Sequence, residues 1–410
     1  MMRILIYSIY FPPTQIGAAK YNGEMAVWLA QRGHEVSVVT APPHYPDWQV
    51  TEGYAGGRYQ REQWQGVKIW RCPIWVPRQP TGIKRILHLL SFALSSAPVV
   101  LRQAFWKPDI VWVMAPSLFC APVAWLTGWL SGARTWLHVQ DFEVDAAFEM
   151  GMLRRPALRR FALWLERILM RRFDRVSTIS RNMAGRLINK GVVEKRCIVF
   201  PNWVDLKAIR PLHGSNSFKS ELSISDEITV ALYSGNMSEK QGLETVLDAA
   251  RFLKSDESLC FVLCGDGSAR KRLLQEYGDL SNVIWLPLQP VARLNDLLNL
   301  ADFHLLPQRA DVADLMMPSK LTGMLASGRP VIATAVAGTQ VHEVVSQCGV
   351  VVPPGDAQAL ALAIQRLTSD PAARHSLGEA ARNYAVDKID SARILLEFER
   401  ALASCHGEAT

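Results

Sequence analysis

The sequence has few cysteines, and none is placed to build a cross-linked or metal-bound fold. The seven cysteines in 410 residues are odd in number and scattered, with no C-x-x-C pair and no histidine partner at zinc spacing. Disulfide-rich scaffolds and structural zinc sites are therefore excluded. We expect the seven side chains to be buried thiols in a reducing compartment.

The sequence also lacks the signals of export, disorder and repetition. It enters a short apolar strand at Arg3 and reaches Pro12 and Pro13 without the long hydrophobic segment or cleavage site of a signal peptide, so we expect a cytoplasmic protein. It has no low-complexity tract and no repeat at solenoid spacing. With 49% hydrophobic and 20% charged residues, it is a globular chain whose length predicts two or three domains.

Long uncharged runs are scarce, and we find one that is long enough to span a bilayer, from Ile110 to Ala133. Pro116 and Pro122 interrupt it, and proline is poorly tolerated inside a helix. The run therefore predicts a buried strand over 110–114, a turn at Pro116 and a helix over 118–130 rather than a membrane span.

Charge is divided unevenly along the chain. Residues 1–200 hold 26 Lys and Arg against 13 Asp and Glu, whereas residues 201–410 hold 19 against 25. A predicted helix from Ala157 to Phe173 has apolar residues on one side and arginines on the other. This basic side, together with Arg154 and Arg155, is either an ordinary solvated face or a surface for an anionic membrane. Nucleic acid is disfavoured because no nucleic-acid-binding motif accompanies the charge.

Strands and helices alternate through the whole chain, which predicts an α/β fold with parallel sheets covered on both faces. The alternation starts at Arg3–Tyr7 and restarts after Phe200, where the charge balance also changes sign. We therefore predict two doubly wound Rossmann-like domains facing a cleft, residues 1–200 and 201–370. Two helices over 371–410 have no strand after them, and we expect them to cross back to the first domain.

Two glycine-bearing turns follow predicted strands of the second domain. They are Tyr233–Gly242, which contains Lys240, and Cys264–Gly267. Glycine lets a backbone approach an anion closely, and amides at a helix start favour negative charge. Each turn alone could be a tight connection only. Together, at the carboxyl ends of parallel strands, they predict a phosphate-binding site.

The chain resembles the GT-B glycosyltransferases of family 4 over essentially its whole length. The matching segments are Tyr10–Pro13 with Gly17, Arg32–Thr40, the hinge-like Phe200–Asp205, Ser234–Asn236 with Lys240–Glu244, Gly265–Gly267, and Met317–Leu321 continuing into Ala326–Thr334. The resemblance implies transfer of a sugar from a nucleotide donor with retention of the anomeric configuration.

Finer features resemble bacterial exopolysaccharide and O-antigen transferases that use fucose-type donors. These features are Ala41–Pro46, Trp70–Pro73 and Leu137–Ala146. The resemblance implies GDP-fucose as donor, a polyprenyl-diphosphate-linked oligosaccharide as acceptor, and a position at the inner face of the cytoplasmic membrane. A UDP-sugar such as UDP-N-acetylfucosamine remains the alternative donor, and a nucleotide-sugar epimerase or an exported sugar-binding module the alternative function. A dinucleotide dehydrogenase is excluded because Gly17 is not part of a G-x-G-x-x-G motif.

The chain contains no D-x-D pair, which many transferases use to hold a metal on the departing diphosphate. We therefore predict metal-independent transfer without a cofactor, with Lys240 and Lys320 neutralising the diphosphate. Lys240 could also be a solvated lysine, and Lys320 a surface lysine with a buried stem. The resemblance implies donor-binding roles for a further set of residues: Gly17, Gly235, Asn236, Gly265, Asp266, Gly267, Pro318 and Ser319.

Asp141 matches the aspartate of the family's His-Asp motif, and we expect it to orient the acceptor hydroxyl or accept its proton. Gln140 stands where relatives carry the histidine, and His138 is either an acceptor-side residue or a core histidine. Glu143 and Asp145 are nearby alternatives. The paired glutamates of relatives, which bind the donor ribose, are replaced by Leu315 and Gly323. Their substitute is Ser319, Thr322 or Asp314.

Overall fold

The structure is a computed structural model that describes residues 1–14, 17–45, 47–54, 57–79, 81–142, 144–145, 156–212, 214, 216–312 and 318–407. The chain forms two compact units. The first domain comprises Met1–Pro201 together with Ile394–Thr410, and the second domain comprises Asn202–Arg393.

The first domain is built on an eight-stranded sheet with the order β3-β4-β2-β1-β5-β6-β7-β8. Seven strands are parallel, and β3 pairs antiparallel with β4 at one edge. The strands are β1 Arg3–Tyr7, β2 Glu35–Thr40, β3 Gln60–Trp64, β4 Val67–Arg71, β5 Ile110–Ala115, β6 Arg134–Val139, β7 Arg175–Thr178 and β8 Cys197–Val199. Every residue of β5 is buried, as expected for a central parallel strand covered on both faces.

Within the described ranges, the first domain also contains six α-helices. They are α1 Ala18–Gln31, α2 Gly82–Arg102, α3 Ala121–Ser131, α4 Pro156–Arg172, α5 Arg181–Asn189 and, at the end of the chain, α14 Ser391–Gly407, which belongs to this domain from Ile394 onward. The inner face of α2 is fixed to the centre of the sheet, because the hydroxyls of Tyr7 and Ser96 are 2.5 Å apart.

The second domain contains a fully parallel six-stranded sheet with the order β11-β10-β9-β12-β13-β14. Its strands are β9 Thr229–Ser234, β10 Leu259–Cys264, β11 Val283–Leu286, β12 Phe303–Leu306, β13 Val331–Thr334 and β14 Gly349–Val352. Its helices are α6 Ser217–Glu221, α7 Leu243–Phe252, α8 Arg270–Tyr277, α9 Leu294–Leu300, α10 Lys320–Ala326, α11 Gln340–Val345, α12 Ala357–Ser369 and α13 Pro371–Lys388.

The last two helices pack in different domains. Helix α13 packs in the second domain, where Arg382 donates hydrogen bonds to the carbonyls of Ile209 and Ala326. Helix α14 packs in the first domain, where Phe398 stacks on Phe200 at a centroid distance of 4.2 Å. We predicted that both helices would return to the first domain, but the small residues of α13 fit against the second domain instead.

Two elements of the first domain were missed in the sequence. Strand β3 reads Gln-Arg-Glu-Gln-Trp, and its mostly polar residues gave no apolar signal. Helix α2 extends through a 3₁₀ turn to Trp106, and among the described residues it is the one helix long and apolar enough to cross a membrane, with 28% of its most apolar window buried. Our prediction that the run Ile110–Ala133 was the one such stretch is therefore wrong. That run divides, as predicted, into β5 and α3.

Candidate active site

The two glycine turns of the second domain pack directly against each other. A Cβ atom on Gly265 would lie 1.9 Å from the carbonyl oxygen of Gly235, and one on Gly267 would lie 2.5 Å from the carbonyl oxygen of Met237. The φ angles of +139° at Gly235, +151° at Gly265 and +155° at Gly267 suit glycine alone. The turns that follow β9 and β10 therefore form one compact unit.

Four amides of these turns are already committed to protein acceptors. Gly235 donates to the carbonyl of Cys264, Met237 to that of Asp266 and Gly265 to that of Leu286. The amide of Gly267 donates to the side chain of Asp266. The sequence predicted that backbone amides near Gly235 cradle a phosphate, and the amide of Gly235 itself is not available for that role. Its glycine geometry serves close packing instead.

Lys320 lies against the first glycine turn. Its Nζ atom donates hydrogen bonds of 2.7 Å to Oε1 of Gln241 and 3.2 Å to the hydroxyl of Tyr233, and it lies 4.3 Å from the centre of the Tyr233 ring. Its Cδ atom would be 3.4 Å from a Cβ on Gly235. Burial lowers the pKa of Lys320 to about 7. The structure thus brings Lys320 and the glycine turn together, as the predicted diphosphate site requires.

Lys240 lies in a 3₁₀ turn over Glu239–Gln241, between the first glycine turn and α7. Arg272 of α8 anchors this turn, because its Nη2 atom lies 2.7 Å from Oε2 of Glu239 and also contacts Glu244. Lys240 is adjacent to Gln241, which contacts Lys320. Lys240 thus belongs to the turn that Lys320 contacts from another element of the second domain.

The proposed ribose-binding residues differ in how their side chains are used. The hydroxyl of Thr322 is nearly buried and donates a 2.8 Å hydrogen bond to the carbonyl of Ser319. Ser319 is exposed at the start of α10 and makes no side-chain capping bond, and Pro318 precedes it half-buried. Asp314 and Leu315 lie outside the described residues. Ser319 is thus better placed than Thr322 to meet a ligand.

His138 is fully enclosed in the first domain. Its Nδ1 atom is 2.8 Å from the hydroxyl of Ser177, its Nε2 atom is 3.1 Å from the side-chain amide nitrogen of Gln140, and its ring stacks on Trp112. Burial lowers the pKa of His138 to about 3, so the ring is neutral at physiological pH. These contacts favour the core histidine over the acceptor-side residue, the two alternatives that the sequence left open.

Asp141 follows β6 at the carboxyl end of the strand and is half-buried. The segment after it is held by Lys190, whose Nζ atom lies 2.9 Å from Oδ2 of Asp145 and also bonds the buried Glu166. Lys190, at the end of α5, thus links the chain just beyond Asp141 to Glu166 of α4. Asp145 is therefore a structural ligand of Lys190, and Glu143 lies outside the described residues.

Gly17 begins α1 with a φ angle of +57°, and a Cβ atom placed on it would meet no atom of the described residues within 4 Å. This geometry is compatible with the predicted ligand contact. Among the described residues, no group of three or more His, Cys, Asp or Glu side chains is arranged to hold a metal ion.

Two residues of the site escaped the sequence analysis. Tyr233 and Gln241 hold Lys320 from 87 and 79 residues away in the chain. Both lie inside the glycine-bearing segment Tyr233–Gly242. A tyrosine at the end of a strand and a glutamine in a polar turn do not by themselves indicate a binding role.

Two family profiles match the chain. The glycosyl transferase 4-like domain matches residues 17–203, and the glycosyl transferases group 1 family matches residues 228–370. The chain is also 41% identical to the colanic acid biosynthesis glycosyl transferase WcaI of Escherichia coli K12, over 97% of this chain and 98% of that protein.

Solved structures share the fold at low sequence identity. Sucrose-phosphate synthase from Thermosynechococcus elongatus superposes with a TM-score of 0.74 at 19% identity and full coverage of both chains. Anabaena HepE, in complex with UDP and glucose, superposes with a TM-score of 0.70 at 16% identity, covering 98% of this chain and 100% of that one. These matches confirm the predicted fold class. The chain belongs to the GT-B glycosyltransferases of family 4.

Proposed function

We propose that this glycosyltransferase is a retaining, metal-independent enzyme that carries fucose from GDP-fucose to a lipid-linked oligosaccharide in bacterial exopolysaccharide synthesis. The similarity to a colanic acid transferase over nearly the whole of both chains supports an exopolysaccharide of that kind. The fucose donor rests on the finer sequence features of the subgroup.

The observation that carries the proposed chemistry is the position of Lys320. Breaking the bond between the sugar C1 atom and the diphosphate oxygen leaves negative charge on the diphosphate, and a positioned cation stabilises that charge. Lys320 is held at the glycine turn by two neutral partners, Tyr233 and Gln241. Neither partner cancels its charge, so the ammonium keeps its full attraction for an anion. Lys240 in the adjoining turn supplies a second charge.

In the proposed reaction, the acceptor hydroxyl attacks C1 from the face that the diphosphate leaves. The departing diphosphate oxygen takes the proton of that hydroxyl, and Asp141 orients the hydroxyl. No metal takes part, because Lys320 and Lys240 carry out the charge neutralisation that a D-x-D-bound metal performs elsewhere.

A donor panel tests this proposal. GDP-fucose, UDP-N-acetylfucosamine, UDP-glucose and UDP-galactose are compared for thermal stabilisation of the protein; a ligand at a hundred times its Kd adds about 2.7 kcal/mol. The donor that binds is then tested for transfer to lipid-linked acceptor with chelator present. Loss of transfer with chelator contradicts metal independence, and an inverted linkage in the product NMR spectrum contradicts retention.

UDP-sugars are the second candidate donors, since HepE, with the same fold, was solved in complex with UDP and glucose. Stabilisation by UDP-N-acetylfucosamine rather than GDP-fucose would move the assignment to that donor. Turnover of a nucleotide sugar without any acceptor would indicate the epimerase.

We further propose that the enzyme docks on an anionic membrane through α2. The outward side of this helix carries Ile83, Leu87 and Leu94, exposed by 70%, 49% and 66%, and the following turn carries Phe105, exposed by 89%. The exposed bases Lys84, Arg102 and Lys107 lie beside them. An apolar stripe with basic neighbours binds at the lipid interface. Because Ser96 and other inner residues of α2 pack in the domain, the helix lies on the membrane rather than crossing it.

A further inference from the structure

Two buried histidines of the first domain each have one ring nitrogen without a hydrogen-bond partner. His44 and His88 are 3% and 1% exposed, and their ring centres are 4.9 Å apart. Nε2 of each ring contacts no donor or acceptor among the described residues. An orphaned buried polar atom is costly, and two of them side by side call for a ligand that satisfies both.

The opposite nitrogen of each ring fixes what that ligand must offer. Nδ1 of His44 is 2.8 Å from the carbonyl oxygen of Pro42, and Nδ1 of His88 is 2.7 Å from that of Trp75. A carbonyl can only accept, so each Nδ1 carries the hydrogen. Burial lowers the pKa of both histidines, that of His88 to about 4, so both rings are neutral. Each Nε2 atom is then unprotonated, and its lone pair can accept a hydrogen bond from an O–H or N–H donor.

A third orphan lies beside the pair. Nε of Arg85 is buried and has no partner within the described part of the chain, and its guanidinium lies 5.4 Å from the ring centre of Trp48. The Trp48 ring also packs 5.3 Å from His88. Two acceptors and one donor around an indole suit a polyhydroxylated ring, whose hydroxyls both donate and accept. The fixed charge of Arg85 disfavours a metal ion between the imidazoles.

Trp48 is the side chain that a ligand would meet first. It is partly exposed, and its φ angle of +52° lies in the left-handed region, which bulky residues rarely adopt. Such backbone strain occurs preferentially at ligand-binding positions. Tyr10 and Tyr45 extend the aromatic surface around it, at centroid distances of 5.7 Å from His44 and 6.5 Å from Trp48 respectively.

The position of the pair in the sheet indicates which ligand reaches it. His44 follows the carboxyl end of β2, on the same edge where Asp141 follows β6. Open α/β sheets bind ligands at this edge. Strands β2 and β6 are three places apart in the sheet order, which corresponds to about 14 Å at the usual strand spacing. That is too far for the reacting hydroxyl and suits another sugar of the same oligosaccharide.

We propose that His44, His88 and Arg85 bind the hydroxyl groups of a sugar in the acceptor glycan, away from the sugar that is glycosylated, with Trp48 packing on the sugar ring. The ligand class, an oligosaccharide, rests on the proposed function. This site selects which acceptor glycans bind, and it takes no part in the chemistry at the donor.

The test measures glycoside binding without donor or turnover. The protein labelled with ¹⁵N-histidine is titrated with octyl glycosides of glucose, galactose, fucose and N-acetylglucosamine at about 10 mM, which fills a site of millimolar Kd. We expect at least one glycoside to shift the Nε2 resonances of His44 and His88 and not those of His34. His34 is the matched control, because its two ring nitrogens contact the amide of Met2 and the carboxylate of Glu399.

Variants separate binding from packing. His44→Phe and His88→Phe keep a ring and remove the lone pair, and we expect each to weaken glycoside binding and raise the acceptor KM at least tenfold with donor KM unchanged. His88→Gln returns an acceptor atom and should recover part of the binding, whereas His34→Gln should have no effect. Should a phenylalanine variant fail to fold, the ¹⁵N titration of the unmodified protein decides alone.

Three results of the binding experiments would overturn the inference: no glycoside moves either resonance, zinc moves them and glycosides do not, or the phenylalanine variants bind glycosides as well as the parent. The first two would leave a trapped water or a metal as the occupant. A protein that binds glycosides but transfers no sugar refutes the proposed function alone. An active transferase whose acceptor KM ignores both substitutions refutes this inference alone.

Discussion

The ammonium of Lys320 donates a 2.7 Å hydrogen bond to the side-chain oxygen of Gln241, 79 residues earlier in the chain. The partner is a neutral amide, and no carboxylate forms an ion pair with Lys320 among the described residues. A lysine kept in place by neutral groups is oriented without a carboxylate that competes for its charge. A cation that is held in position in this way stabilises the negative charge of a diphosphate.

Substitution of Lys320 should impair transfer far more than folding. We expect Lys320→Gln to lower kcat/KM by about 100- to 1000-fold, the usual effect of removing one group that stabilises developing negative charge. Steady-state kinetics with the donor found in the panel measure it. The exposed Lys271 of α8 provides the control, and Lys271→Gln should retain full activity. Near-normal turnover in Lys320→Gln would make Lys320 a surface lysine with a buried stem.

Donor affinity should fall as pH rises above 7. The pKa of Lys320 is lowered to about 7, so in the donor-free protein the ammonium loses its proton above that pH, and the attraction for the diphosphate goes with it. We expect the donor Kd to rise about tenfold per pH unit between pH 7.5 and 9, as for any ligand that requires one added proton. Calorimetric titration measures the slope. Lys320→Arg, which stays charged, should bind the donor independently of pH over this interval.

Gly265 should tolerate no side chain. A Cβ atom there would lie 1.9 Å from the carbonyl oxygen of Gly235, at a φ angle of +151°. Gly355→Ala is the control, because its φ angle is +79° and no atom of the described residues lies within 4 Å of the Cβ position, so it carries backbone strain without the clash. In urea unfolding we expect about 1 kcal/mol of lost stability for Gly355→Ala and about 3 kcal/mol or more for Gly265→Ala. Equal losses would show that the two turns separate easily.

The ribose assignment separates Ser319 from Thr322. The hydroxyl of Thr322 donates to the carbonyl of Ser319, so Thr322→Ala should cost about 1 kcal/mol of stability and leave the donor Kd unchanged. Ser319→Ala should leave the free energy of unfolding unchanged and raise the donor Kd several-fold. Isothermal titration with donor gives both Kd values, and weakened binding in Thr322→Ala alone would reverse the assignment.

The apolar stripe on α2 should govern membrane association. We expect the double variant Leu87→Ser, Leu94→Ser to lose about 100-fold in affinity for vesicles containing anionic lipid, since each buried side chain contributes about 1.5–3 kcal/mol at an apolar interface. A charge variant of α4, Arg167→Gln with Arg171→Gln, should weaken binding at low salt only. Sedimentation with liposomes compares them. Unchanged binding in the α2 variant would return the membrane role to the basic face of α4.

Much of the fold could be read from local patterns. Strands β2 and β4 carry apolar residues at every second position or closer, and a proline follows each strand within two residues. The predicted bounds of both strands agree with the structure. Helix α2 could not be read in this way. Its inner face carries His88 and Ser96 beside the apolar Phe92, and its outer face carries Leu87 and Leu94, so apolar residues lie on both sides of the helix.

The sequence indicates candidate site residues only where they stand in a local motif. Gly235, Gly265 and Lys320 each belong to short segments with a recognisable pattern. The contacts of Lys320 with Tyr233, of Lys190 with Asp145 and of His44 with His88 join residues that are 44 to 87 positions apart, and they form only when the chain folds. The sequence also predicted that amides near Gly235 bind phosphate. In the structure the amide of Gly235 instead donates a hydrogen bond to the carbonyl of Cys264, in the other turn.

Helix α14 has a consequence for synthesis on the ribosome. Residues 1–201 emerge first, but the face formed by Trp136 and Phe200 is covered by Phe398, which is made only after residues 202–393. At about 5–20 residues per second, those intervening residues take about 10–40 s to translate. During that interval the nascent first domain presents an uncovered aromatic surface. A chaperone that binds apolar segments can bind this surface during that interval. A chain truncated before Ile394 would keep the surface exposed permanently.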